Sequence, residues 1–248
     1  MADIHIGLSG FSYKPWQGPG RFYPEDLKST EFLRYYATRY RVVELDGIWY
    51  RFPSEKTVQS WIDQTPSTFL FAPKAHRSIT HIHRLKPEAY PSVQFLLQRL
   101  DPLRTSGRLG PILLQLPPNL RRDDARLQAF LDRLSKDVRW AMEFRHASWH
   151  APEVETLLQA HGIAWAAVET DDTPAERLNT AGFCYIRLRR SAYRDSDLEE
   201  WGGWLKQQAA DGRDCFVFCK HEDEGSPWVW ADQLAEIIGS SRERSASS

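Results

Sequence analysis

The chain has 248 residues and nearly balanced charge, 32 Lys and Arg against 33 Asp and Glu, for a formal net charge of −1. That length buries one large core or two small ones, and the balance argues against a globally basic nucleic-acid binder while leaving room for a local basic patch. Mean hydropathy is −0.53, and no apolar run approaches the ~18–20 residues that a bilayer span needs.

The start, MADIHIGLSG, lacks the zones of a signal peptide. The three cysteines, Cys184, Cys215 and Cys219, form neither a metal spacing nor an even disulfide framework. A cytoplasmic protein with reduced thiols and no membrane partner is the expectation.

In chain order, short β-rich runs alternate with segments of helical spacing. The runs are His5–Ser9, Val42–Asp46, Phe69–Lys74, Ile112–Leu116, Trp140–Arg145, Ile163–Glu169, Phe183–Leu188 and Cys215–Lys220. Between the first two, Leu27–Tyr40 carries Leu27, Phe32, Leu33, Tyr36 and Tyr40 at helical intervals. Further helices are marked by Val58 with Trp61, by Val93 with Leu96 and Leu100, and by Leu127 with Phe130 and Leu131 after the cap candidates Asp123 and Asp124. Val154 with Leu158 marks another, and a short helix is expected from Pro174. A capping box, Ser196 with Glu199, precedes Trp201 and Leu205, and Trp230 with Leu234 marks the last helix. The polar segment from Gly239 to Ser248 reads as a disordered tail after a single domain at residues 1–238.

Eight strands alternating with about eight helices predict an α/β fold, a (β/α)8 TIM barrel. A doubly wound open sheet is the rival, weakened because Gly7-Leu8-Ser9-Gly10 lacks the dinucleotide-binding spacing. The stretch Ala75–Gly110 is the longest connection and a candidate lid or binding element.

Function in such barrels gathers at the C-terminal strand ends. Those ends carry Ser9; Glu44 and Asp46; Lys74; Gln115; Glu143 and Arg145; Glu169; Arg187 and Arg189; and Lys220. Buried charges of both signs are costly unless paired, so the set reads either as a polar ligand site or as a salt-bridge plug. In the ligand reading Glu143 or Glu169 is the general base and Glu44 its partner or acid. Lys74, Arg145, Arg187 and Lys220 hold an anion, with Ser9, Gln115, His76, Arg77 and Trp149 contributing to the substrate site. From Lys74 to Lys86 there are four Lys or Arg, three His and no acid, which suits phosphate, carboxylate or a nucleic-acid backbone. His81 and His83 lack a third ligand, so no metal site is assigned, although a divalent ion stays open as a cofactor. The loop His221–Gly225 is acidic and offers no phosphate cradle. Rings after the strands, Phe11, Tyr13, Trp16, Trp49, Tyr50, Trp149, Trp228 and Trp230, could stack a base or sugar or simply pack the loops.

Several stretches together resemble the YecE-like family, also called domain of unknown function 72. They are Ile6-Gly7-Leu8-Ser9-Gly10-Phe11-Ser12-Tyr13 with Phe22-Tyr23-Pro24, Val43-Glu44-Leu45-Asp46 with Tyr50-Arg51-Phe52-Pro53, and Phe71-Ala72-Pro73-Lys74-Ala75-His76-Arg77-Ser78-Ile79-Thr80-His81. Gln115-Leu116-Pro117-Pro118 and Glu143-Phe144-Arg145-His146-Ala147-Ser148-Trp149 complete the match, which spans about residues 5–238. The resemblance implies a TIM barrel and supplies no activity. A likeness of that family to apurinic-endonuclease and xylose-isomerase barrels implies metal-assisted phosphodiester or sugar chemistry. The chain departs from the family's pattern at Asp46, where many members carry Asn, and at Lys220-His221, where many carry an Asn pair.

Three functional readings follow: an enzyme, a hydrolase or isomerase, acting on a small phosphorylated or nucleotide-like anion; a nucleic-acid-binding or phosphodiester-processing barrel; and a non-catalytic interaction module. The sequence carries no signal for oligomeric state.

Overall fold

Eight strands run parallel, each forming where a β-rich run was read. They are β1 (Ile4–Ser9), β2 (Val42–Leu45), β3 (Leu70–Pro73), β4 (Ile112–Gln115), β5 (Trp140–Glu143), β6 (Ala164–Glu169), β7 (Phe183–Leu188) and β8 (Asp214–Cys219). The structure is a computed structural model and describes residues 2–220 and 226–245. The expected His221–Gly225 loop lies outside them.

The sheet order is β3-β2-β1-β8-β7-β6-β5-β4. Its two edges meet through bridges pairing Phe71 with Leu109 and Lys74 with Leu113. At that seam the Ala75 amide donates to the Leu113 carbonyl at 2.8 Å, and the Gly110 amide to the Phe71 carbonyl at 2.7 Å. This closure makes a barrel and excludes the open doubly wound sheet. Gly110 suits the close approach there, because a Cβ would meet the Phe71 carbonyl oxygen at 3.0 Å.

Seven α-helices surround the barrel among the described residues: α1 (Phe32–Arg39), α2 (Glu55–Gln64), α3 (Tyr90–Thr105), α4 (Asp124–Leu131), α5 (Pro152–His161), α6 (Asp195–Ala210) and α7 (Pro227–Ser245). Their ends follow local chemistry. Ser54 accepts from the Thr57 amide to cap α2, and Asp123 accepts from the Arg126 amide to cap α4. Gly162 at φ 64° ends α5.

Two expectations are corrected. No helix follows Pro174, and β6 joins β7 through non-helical chain. The start of α6 is held by the Asp197 carboxylate accepting from the Arg194 amide, rather than by Ser196 and Glu199. In the long β3–β4 connection Ser78, Ile79 and Thr80 are buried in a π-helical turn, and α3 follows.

Alternation along the strands separates two cores. Outward residues pack under the helices, including Val43, Phe71, Leu114, Met142 and Ile186. Inward residues fill the lumen. Small ones, Ala72, Ala141, Ala164 and Ala166, face large rings, Phe183, Tyr185, Phe216 and Phe218. His5 stacks on Phe216 at 4.8 Å, and Arg139 lies 4.7 Å from the same ring while pairing with Asp214 at 3.2 Å. The lumen is therefore solid, and a guest must sit above it.

Candidate functional site

The last inward position of several strands is polar, and these side chains meet. Ser9 and Glu44 are register partners on β1 and β2, and Ser9 Oγ donates to Glu44 Oε1. Gln115 and Glu143 are register partners on β4 and β5, and Gln115 Nε2 donates to Glu143 Oε1 at 2.7 Å. Arg187 on β7 has apolar register neighbours, Val168 and Phe218. Its guanidinium instead crosses the lumen, reaching Glu143 Oε2 at 2.6 Å through Nη1 and Glu44 Oε1 at 2.8 Å through Nη2. Tyr185, two residues before it, donates to Glu44 Oε2 at 2.6 Å.

This layer is fully enclosed: Arg187 is 1% exposed and Glu44 0%. Burial disfavours the ionised Glu143 carboxyl, but Arg187 and Arg189 outweigh it and hold the group below its usual range. Burial likewise works against charge on Arg187, and the Glu44, Glu143 and Asp46 carboxylates more than offset it, raising its pKa well above normal. A guanidinium between two carboxylates is a brace that stays charged at any physiological pH.

Above the brace lies the mouth. Asp46 pairs with Lys220 at 2.7 Å and accepts from Ser9 at 3.2 Å. Burial opposes its ionisation, yet Arg187, Lys220 and Lys74 keep its pKa far below the normal carboxylate value. Lys74 lies 5.3 Å from the Trp49 ring centre, and its ammonium makes no hydrogen bond or ion pair among the described residues. Burial, then Arg187, lowers its pKa. Burial, then Lys74 and Arg145, lowers that of His81. Gly10, at φ 91°, lets the Tyr13 ring fold back against it; a Cβ there would meet that ring at 2.4 Å. Burial and the Asp46 and Glu44 charges push the Tyr13 hydroxyl up to about 12.

The structure thus gathers Ser9, Glu44, Gln115, Glu143 and Arg187 in one network, with Lys220 joined to it through Asp46 and Lys74 close enough to act electrostatically. Arg145 lies two residues beyond Glu143, past the end of β5, and is exposed.

Other expected site residues fall elsewhere. Glu169 has the opposite parity to Ala164, Ala166 and Val168, so it points out of the barrel. It accepts from Trp201 Nε1 at 2.9 Å and pairs with Arg190 at 3.1 Å beneath α6. Trp149 is buried and donates to the Leu120 carbonyl at 2.7 Å. His76 stacks on Phe52 at 4.0 Å and shares a hydrogen bond with Ser78 at 2.8 Å. Arg77 is exposed and contacts none of the network. Trp16 and Trp228 pack together at 5.8 Å. Conversely, Tyr185 was not singled out from the sequence, although period-two spacing from Arg187 would have found it. Asp46 and Tyr13 were placed at the strand ends without an assigned role, and that of Tyr13 depends on a loop conformation that no spacing shows.

No group of three or more His, Cys, Asp or Glu suited to a metal ion occurs among the described residues. No helix among them is long and apolar enough to cross a membrane. All three cysteines are buried and free.

Eight parallel strands around a filled lumen, with charged side chains gathered at their C-terminal ends, define a (β/α)8-barrel protein. Residues 5–248 match the family described as "Protein of unknown function DUF72". The chain belongs to that family. It is 28% identical to UPF0759 protein YunF of Bacillus subtilis (strain 168) over 274 residues, covering 95% of this chain and 94% of that one. A crystal structure of a DUF72 family protein from Thermotoga maritima MSB8 superposes with TM-score 0.77 at 25% identity, covering 96% and 99% of the two chains. D-psicose 3-epimerase from Clostridium cellulolyticum H10 superposes with TM-score 0.56 at 11% identity over 98% of each chain, which shows the shared fold alone.

Proposed function

We propose that this protein is an enzyme acting on a small anionic ligand at the mouth of its barrel. The observation that carries this reading is a cluster of positive charge above the Arg187 brace. Lys74 makes no ion pair among the described residues, the Asp46, Glu44 and Glu143 carboxylates acting on it only from further off, and Arg145 is exposed beyond Glu143. After burial, these two cations lower the pKa of His81, and an anion bound beside them would offset their charge.

The roles expected from the sequence shift accordingly. Glu143 has both carboxylate oxygens occupied, by Gln115 and Arg187, which suits a positioning residue better than a base. Arg187 and Glu44 are committed to the same brace. Lys74, Arg145 and Lys220 hold the anion, and Lys74, with its lowered pKa, is the acid–base group within reach. Nothing comparable favours the nucleic-acid reading. Segment 74–86 does not lie out as one basic face: Ser78–Thr80 are buried and Arg84 turns to Asn119 at 3.3 Å.

Calorimetry with phosphate, sulfate and citrate tests the proposal. Wild type is expected to bind at least one of them, and Lys74→Met with Arg145→Ala to weaken it roughly tenfold or more, as loss of charge-assisted contacts does. Equal binding by wild type and the double variant overturns the assignment.

A further inference from the structure

Beside the mouth lies a cleft of about 730 Å³, far more space than a bare phosphate or carboxylate fills and typical of a small-molecule pocket. Its walls are rings: Phe11 and Tyr13 from the loop after β1, Tyr50 and Phe52 from the loop after β2, Trp61 from α2 and Phe95 from α3. Tyr50 is 69% exposed, so packing does not account for it. Phe52 is held upright between His76 at 4.0 Å and Phe95 at 5.0 Å.

Asp46 belongs to both places. It lines the cleft and is also tied to the mouth through Lys220 and Ser9. Its second oxygen, Oδ1, is buried and has no hydrogen-bond partner among the described residues. The Arg187 guanidinium is 3.8 Å from it, beyond bonding reach. A buried acceptor left unsatisfied is costly, and a guest whose donor displaces the cover over this oxygen removes that cost. With Lys220, Arg187 and Lys74 already around this carboxylate, an ammonium donor would be repelled, whereas a neutral hydroxyl would not.

We propose that the cleft holds the hydroxyl-bearing ring of a phosphate ester, either a sugar or a nucleoside. The ring lies against Tyr50 and Phe52, one hydroxyl donates to Asp46 Oδ1, and the phosphate reaches the mouth beside Lys74 and Arg145. The inference rests on the anion reading above and narrows it to a substrate class.

Calorimetry with four probes tests it: inorganic phosphate, glucose 6-phosphate, adenosine 5′-monophosphate and 2′,3′-dideoxyadenosine 5′-monophosphate. One of the two hydroxylated esters is expected to bind at least tenfold more tightly than inorganic phosphate, and which one does so separates the sugar from the nucleoside. If it is the nucleotide, the dideoxy analogue is expected to lose most of that gain. Tyr50→Ala and Phe52→Ala, both on the cleft wall and away from the brace, are expected to weaken the ester about tenfold and leave inorganic phosphate unchanged. Asp46→Asn is expected to weaken the ester with either ring. Esters that bind no better than phosphate, or are indifferent to Tyr50→Ala and Phe52→Ala, overturn the cleft assignment while the anion site stands. Failure of all four probes to bind overturns both.

Discussion

Arg187 shows how a single residue can govern a site without being free to touch a guest. Its guanidinium neutralises two carboxylates that the strand register places on opposite sides of the lumen. Arg187→Met would leave Glu44 and Glu143 buried without it, and a loss of about 3–5 kcal/mol in urea unfolding is expected. The pH dependence carries a sign. Glu143 and Asp46 have folded pKa values below their unfolded ones, so their contribution is present at neutral pH and is lost as pH falls below the usual carboxylate range, about 4. In Arg187→Met the buried Glu143 loses its main positive neighbour, and burial then raises its pKa. That variant is expected to be more stable at pH 5 than at pH 7, whereas these groups leave wild type nearly flat over that range. Unfolding midpoints at the two pH values decide the matter, and parallel slopes would refute the brace.

At the scale of elements, one hydroxyl joins a helix to the sheet. Tyr36 on α1 is fully buried; its hydroxyl accepts from the Leu8 amide at 2.7 Å and donates to the Val42 carbonyl at 2.9 Å. It takes the place of a ladder bond where β1 and β2 begin to pair, and Gly7 leaves the space: a Cβ there would meet the Val42 oxygen at 2.1 Å. Tyr36→Phe is expected to cost about 1–3 kcal/mol, because it strands two buried backbone groups while keeping the ring. Chemical denaturation measures this, and a change under about 0.5 kcal/mol, as at an indifferent surface site, would dismiss the bridge.

What could be read from the chain follows the same division by scale. Strand positions were legible because β-rich runs of five to seven residues recur with helical spacing between them, and each strand forms within a residue or two of its run. Side-chain direction was legible only where parity was followed. Glu44, Glu143 and Arg187 share the inward parity and converge. Glu169 sits one step off and binds Trp201 under α6. Being last in a strand was a poorer guide than being an even number of residues from an inward neighbour. The cleft was the least legible part, since it is built by loops after β1 and β2 meeting α2 and α3, and no local pattern encodes that meeting.

For the whole molecule, the formal charge of −1 gives an anion no long-range attraction, so its capture beside Lys74 and Arg145 should be local and screenable. Raising ionic strength from about 0.1 M to about 1 M shortens the screening length from roughly 10 Å to roughly 3 Å. Phosphate affinity is expected to fall several-fold over that range while the thermal midpoint changes little, because the Arg187 pairs are buried. Affinity that is flat in salt would argue against electrostatic capture.

The link between β6 and β7 gives the molecule a natural cut point. Residues 171–174 are exposed and outside any helix or strand, whereas β6 and β7 remain zipped by their own ladder from Ala166–Tyr185 to Glu169–Leu188. Downstream, Thr180 fastens the link through the Trp165 amide at 2.7 Å, and Arg177 covers Trp201 at 4.0 Å. A protease should therefore nick the chain at this point first. The two pieces should then co-elute as one particle and separate only in denaturant, which would make this barrel a ready two-fragment complementation scaffold.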